Sequence, residues 1–228
     1  MDAQTQTTPT LAAVRSSVMG LKGWKRAAVA IGAGGLSALA FAPIYASPVL
    51  FLTLPVFVWL IDASSSWRRA ASAGWLFGFG YFFFNLFWVG EAFLVEADKF
   101  AWMLPFAVTL LPAGMALFWA AAAATARCFW REGIARVFVF AIALAVFEWL
   151  RGHILTGFPW DLVGYALAYP LPLMQSASLF GAYGLTAIAA FVFPAPLVIM
   201  ADRRRRLSLA DFARASAVAL VPIAALYG

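Results

Sequence analysis

The sequence predicts an all-α protein, a polytopic transmembrane bundle of about seven helices. Three observations predict it. Hydrophobic residues make up 64% of the 228 residues and charged residues only 11%, where a soluble domain carries roughly 25% charged residues. The mean hydropathy is +0.88, as expected of a chain held mostly in lipid. The apolar residues also fall into long runs separated by short polar stretches. The 22 Phe and 10 Trp suit lipid-facing and interfacial surfaces. A single cysteine, Cys128, excludes an internal disulfide framework and a cysteine-based metal cluster.

The chain opens on residues 1–20, rich in Thr, Ala and Gln, read as a disordered cytoplasmic tail. The tail lacks the short apolar core and small-residue cleavage site of a signal peptide, so the first helix is expected to be retained. Residues 21–228 form the transmembrane domain, with helices expected near 27–42, 48–61, 70–90, 100–126, 137–150, 173–201 and 209–226. The first two are short for a bilayer that needs about 20 helical residues; they either span or form a re-entrant hairpin. Pro55, Pro105, Pro112, Pro194 and Pro196 mark places where helices can kink. Gly32, Gly34 and Gly35, and again Gly74, Gly78 and Gly80, allow close helix approach in lipid.

Charge placement supplies the orientation. Of the 16 Lys and Arg, only Lys99 and Arg151 fall on one side of the predicted bundle. Arg15, Lys22, Lys25, Arg26, Arg68, Arg69, Arg127, Arg131, Arg136, Arg203–Arg206 and Arg214 fall on the other. The positive-inside rule then puts the amino terminus in the cytoplasm and the carboxy-terminal end outside. The net charge of +6 is therefore a topology signal, and the DRRRR run is a cytoplasmic stop and not a nucleic-acid patch.

The polar chemistry gathers at EWLRGHILTGFPWDLVGY, Glu148 to Tyr165. Glu148, Arg151 and the sole histidine, His153, follow an almost uncharged apolar run, and Gly157, Phe158, Pro159 and Trp160 then break the helix. Glu148 and Arg151 are three apart and share a helix face. Ionisable groups at membrane depth are costly and are either paired or functional. A mutual ion pair sealing the helix end is one reading. The other is that Arg151, with its planar fork, grips an anionic group such as a lipid phosphate. Trp160 fits an interfacial aromatic belt. Glu91 either lines a cavity with Asn85 or is a solvated helix end. His153 has no nucleophile beside it, and Cys128 lies at the opposite side of the membrane with no base near it. No P-loop, dinucleotide-binding glycine loop, HExxH, GxSxG or metal-ligand cluster occurs, so no cofactor is implied.

LRG followed by TGFPW closely resembles the corresponding segment of the bacterial apolipoprotein N-acyltransferases. LSALAFAPIYASPVLFL resembles that family's first helical hairpin, GWLFGFGYFFFNLFWVGEAF its third helix and QSASLFGAYGLTAI its sixth. The resemblance covers residues 35–188. It implies transfer of a fatty acyl chain from a phospholipid donor to the amino-terminal diacylglyceryl cysteine of a lipoprotein acceptor, the last step of lipoprotein maturation, at the outer face of the inner membrane. It also implies ping-pong chemistry through a Cys thioester, with a Glu and a Lys, in a nitrilase-like domain that follows the seventh helix. None of that triad maps onto a residue here. The expectation is thus the family's membrane domain without its nitrilase-like domain, inactive alone, with Arg151, Trp160, Glu148 and Glu91 as substrate- or lipid-binding residues. The alternatives are a non-enzymatic membrane scaffold or lipid-binding fragment, and a small transporter, for which the sequence lacks an inverted repeat.

Overall fold

The computed structural model describes residues 11–169 and 171–202. Helix α1 (Leu11–Met19) falls within the stretch expected as tail, and that expectation is corrected for these residues. α1 packs on α3 (Leu50–Asp62) and α10 (Ala195–Asp202), burying Leu11 in the core and placing Arg15 against Asp62 and Asp202. The predicted helix at 209–226 lies outside the described residues.

The first two apolar segments become α2 (Gly23–Ser37) and α3, joined through 3-10 turns at Ala38–Ala40 and Ser47–Val49. Fifteen residues at 1.5 Å each reach about 22 Å, less than a hydrocarbon core of about 30 Å. α4 (Trp67–Asn85) starts on the Ser66 side chain, which accepts from the Arg69 amide. After Leu86 the chain turns by 47° into the 3-10 stretch Phe87–Leu94, so the segment expected as one helix over 70–90 is bent at its end. The short α5 (Ala97–Phe100) and a 3-10 turn (Ala101–Met103) lead into α6 (Leu104–Cys128), which carries Pro105 in its first turn, where a missing amide hydrogen costs nothing.

α7 (Ala135–His153) carries the EWLRGH motif at its end, and a loop and 3-10 turn (Val163–Leu167) follow. The helix expected over 173–201 is divided among α8 (Leu171–Gln175), α9 (Ala177–Val192) and α10. Gly181, at φ 66°, interrupts α9, and Pro194 separates α9 from α10, because its ring has no N–H to give and clashes with the preceding turn.

Every regular element among the described residues is helical. Among the described residues two stretches, Ala97–Cys128 and Ala177–Asp202, are long and apolar enough to cross a membrane, and α4 with Phe87–Leu94 makes a third if the bent pair is one span. Fewer than seven are found because the helix expected near 209–226 lies outside the described residues, α2 and α3 are short, and α7 carries Arg136, Glu148 and Arg151 within its 19 residues.

α4 lies between α2 and α6; α6 packs on α7, and α7 on α9. Lipid tails are as apolar as leucine, so close packing and interhelical hydrogen bonds hold such helices together. A Cβ on Gly34 would overlap the Phe77 carbonyl, one on Gly80 the Ile31 carbonyl, and one on Gly74 the Trp119 carbonyl. α4 is thus pinched against both neighbours through backbone it could not approach with side chains. The core is centred on fully buried Trp119, with Tyr81 at 4.6 Å, Phe82 at 5.5 Å, and Phe57 and Phe77 at 5.8 Å between ring centroids. Ser37 Oγ donates to Thr53 Oγ1 at 2.8 Å, bridging α2 and α3.

The arginines assigned to the cytoplasmic side meet at one end of the bundle. Asp62 Oδ2 accepts from Arg15 Nη2 and from Arg136 Nη1, both at 2.6 Å, while Asp62 Oδ1 accepts from Trp130 Nε1 at 2.9 Å. Asp202 pairs with the same two arginines. Two carboxylates and two guanidiniums therefore neutralise each other across α1, α3, α7 and α10. Arg26 Nη2 and Arg127 Nε cap the adjoining Leu60 and Ser64 carbonyls, each at 2.6 Å.

Two outcomes are expected in unfolding measured in detergent micelles. Gly80→Val will destabilise the chain by roughly 1–3 kcal/mol by forcing α2 from α4, whereas Gly114→Ala, with open space at its Cβ, will not. Asp62→Asn will cost roughly 2–3 kcal/mol, because Arg136 is buried and keeps only Asp202.

Candidate functional site

The site is built at the end of α7, where helix geometry places Glu148 and Arg151 on one face. Both are fully enclosed, at 0% and 1% exposure. The chain leaves the helix through Ile154 and makes a tight return: Gly157 N–H donates to the Ile154 carbonyl and Phe158 N–H to the Arg151 carbonyl, each at 2.9 Å. Gly157 has φ 70°, and a Cβ there would sit 2.5 Å from the Gly152 carbonyl oxygen. Only glycine meets both demands without strain.

Arg151 then fixes the loop. Its Nη1 donates to the Phe158 carbonyl at 2.7 Å and to the Trp160 carbonyl at 2.8 Å. The guanidinium carbon lies 4.9 Å from the centre of the Phe82 ring. Its Nη2 faces Glu148 Oε1 at 3.9 Å, a long pairing. Glu148 Oε2 accepts from the Val163 amide at 3.2 Å, and the Thr186 and Trp119 side chains also face its carboxyl. The Gly164 amide donates to Thr186 Oγ1 at 3.2 Å, fastening the 3-10 turn to α9. The expected ion pair at the helix end is therefore present but loose, and each partner holds loop backbone. The guanidinium has no exposed face with which to grip a lipid phosphate.

Asp161 follows Trp160 in a left-handed conformation, φ 54°. Its carbonyl accepts from Tyr81 Oη at 3.0 Å. Its Oδ2 is buried and has no hydrogen-bond partner among the described residues. Burial pushes its pKa up to about 6, against the pull of the Arg151 charge. Its charge is therefore lost at a higher pH than that of an ordinary carboxylate. Beside it opens a cavity of about 350 Å³ lined by Phe41, Ala42, Tyr45, Asn85, Trp88, Asp161, Tyr165 and Ala168.

Trp160 is 55% exposed, with its ring edge-on to Trp88 at 5.9 Å. Glu91 is exposed on the same 3-10 stretch as Trp88 and does not line the cavity. The structure brings together Glu148, Arg151 and Trp160, and it leaves Glu91 apart. His153 is exposed, hydrogen-bonded at 2.7 Å to the Trp149 carbonyl and stacked on that indole. Cys128 is exposed at the far end of α6. Tyr81, Asp161 and Thr186 belong to the site but were not singled out from the sequence. Asp161 alone had a local signal there, a carboxylate directly after GFPW. Among the described residues no group of three His, Cys, Asp or Glu could hold a metal. The arrangement offers a rigid loop, an aromatic wall and a carboxylate at a cavity.

Residues 33–194 match the family model described as the apolipoprotein N-acyltransferase N-terminal domain. Curated relatives printed as apolipoprotein N-acyltransferase agree with this. That of Rhodopseudomonas palustris is 50% identical over 204 residues, covering 86% of this chain and 38% of its own length. That of Bradyrhizobium diazoefficiens is 49% identical over 211 residues, covering 90% and 39%. That of Brucella melitensis is 46% identical over 199 residues, covering 83% and 37%. The chain thus spans under two-fifths of the length of these relatives. The LRG and GFPW residues that build the buried corner fall inside the matched region, and the chain belongs to the apolipoprotein N-acyltransferase family through that family's N-terminal domain.

Proposed function

We propose that this chain is the membrane domain of an apolipoprotein N-acyltransferase. The whole protein would move an acyl chain from a phospholipid to the amino group of a lipoprotein's amino-terminal diacylglyceryl cysteine. Chemistry would reside in a nitrilase-like domain; the helical part would hold the donor and acceptor lipids beside it. The bundle, about seven helices in the bacterial inner membrane, keeps its amino terminus in the cytoplasm. The concentration of arginines at the Asp62 end supports that orientation. It turns the Arg151 corner toward the periplasm, where lipoproteins are finished.

The observation that carries this reading is the grip of Arg151 on the Phe158 and Trp160 carbonyls. Arg151 and Glu148 act as positioning residues. They hold Trp160 half-exposed at the rim, where an indole meets lipid headgroups and acyl chains. Glu91, exposed on the same 3-10 stretch as Trp88, would add a carboxylate to the outer edge of the entrance.

The test uses a full-length family enzyme carrying this domain. Arg151→Lys keeps the charge but loses the planar two-pronged fork. Lipoprotein N-acylation is expected to fall roughly 10- to 100-fold as Trp160 shifts, with helix content retained by circular dichroism. Trp160→Ala is expected to fall comparably. Activity unchanged in both variants removes this corner from the substrate site.

A further inference from the structure

We infer that the cavity between Tyr45, Asn85, Trp88, Asp161 and Tyr165 binds a primary alkylammonium group, with the Asp161 carboxylate as its counter-ion. Charge comes first. The cluster at the end of α7 holds two carboxylates, Glu148 and Asp161, and one cation, Arg151. Its Nη1 is shared between two loop carbonyls and its Nη2 faces Glu148 at 3.9 Å, while Nε and Nη2 make no hydrogen bond and no nitrogen of it pairs with Asp161 among the described residues. Asp161 therefore has no cation paired with it among the described residues, and its buried Oδ2 accepts no hydrogen bond there. A carboxylate in that condition is held by its surroundings and not by its own comfort. Its backbone sits at φ 54°. The residue is clamped from both sides, by Tyr81 on its own carbonyl and by Arg151 on the preceding one. Strain of this kind persists where the surrounding structure over-determines it, and such places cluster at ligand sites.

The walls select the ligand further. Tyr45, Trp88 and Tyr165 line the space, and ring faces attract cations. Tyr45 contacts Tyr169 and Trp88 contacts Trp160, each at 5.9 Å between ring centroids. An anion is repelled by Asp161, and an apolar group leaves the carboxylate uncompensated. Asn85 donates through Nδ2 to the Tyr81 carbonyl at 3.0 Å, leaving its amide oxygen as a second acceptor. Two acceptors call for N–H donors, which a primary ammonium has and a quaternary one lacks. The cavity of about 350 Å³ takes such a head while its hydrocarbon stays in lipid.

The choice of ligand rests on the function proposed above, which supplies two sources of this chemistry. One is an ethanolamine phospholipid headgroup; the other is the free α-amino group of a diacylglyceryl cysteine. The test places the 228-residue chain in phosphatidylglycerol nanodiscs at pH 7.5. Binding of dilauroyl-phosphatidylethanolamine and of a diacylglyceryl-cysteine peptide is measured, each against its N-acetylated form. At least one amine is expected to bind ten-fold or more tightly than its acetylated partner, and the pair showing the difference names the source. Asp161→Asn is expected to bring that ratio within about two-fold. If Asp161→Asn loses its helix content, Asn85→Ala takes its place and the ratio is expected to fall several-fold. Equal binding of amine and acetylated forms in both pairs overturns the inference, as does a ratio untouched by the folded variant. Acyl transfer is not read out, so failure here leaves the Arg151→Lys test intact, and failure there leaves the ratio standing.

Discussion

A guanidinium buried at the end of a helix, with two loop carbonyls on one nitrogen, is the interaction on which the polar half of this molecule depends. Arg151 is buried in protein, at 1% exposure, and a buried charge is costly unless it is paired and hydrogen-bonded. The surrounding chain must therefore supply acceptors. The Phe158 and Trp160 carbonyls do so, which obliges the loop to double back over the helix end. Gly157 permits that return, and Asp161, further along the same loop, sits in a left-handed backbone. The exposed tryptophan and the cavity carboxylate are both consequences of satisfying one charge.

Glu148 shares this task but does not complete it. At 3.9 Å from Arg151 it compensates the charge through space while spending its other oxygen on the Val163 amide. The pair thereby ties two separate pieces of backbone, the loop and the 3-10 turn, to one helix face. Thr186 of α9 adds a third through Gly164. A buried ion pair gives little stability by itself; here it sets the path of the chain between α7 and α9.

Much of this could be read from the sequence, and the part that could not has a common cause. The apolar runs gave α4, α6 and α7 to within a few residues, because helix position is local information carried by composition and by prolines such as Pro105. The juxtaposition of Glu148, Arg151 and Trp160 was also local, within one motif. By contrast, Asp62 gave no sign that it would meet Arg15, Arg136 and Trp130, since those partners are 47 to 74 residues away. Trp119 at the centre of the core, Tyr81 beneath Asp161 and Thr186 facing Glu148 are long-range in the same sense. The break at Gly181 was not foreseen because glycine in an apolar run also serves close packing, as Gly34 and Gly80 do, and spacing alone does not tell the two uses apart.

The two ends of α7 explain how a helix with charged residues can belong to a lipid-embedded bundle. Arg136 and Arg151 are 15 positions apart, about 22 Å along the axis, less than a hydrocarbon core of about 30 Å. Long basic side chains near a membrane surface commonly reach outward to water. These two do not; both are buried in protein, at 4% and 1% exposure. Each is met by carboxylates from the protein itself: Asp62 and Asp202 at one end, Glu148 at the other. The helix therefore presents an apolar waist to its neighbours and locks both ends with internal charge, which lets its polar corner be placed by packing and not by the depth of the surrounding lipid.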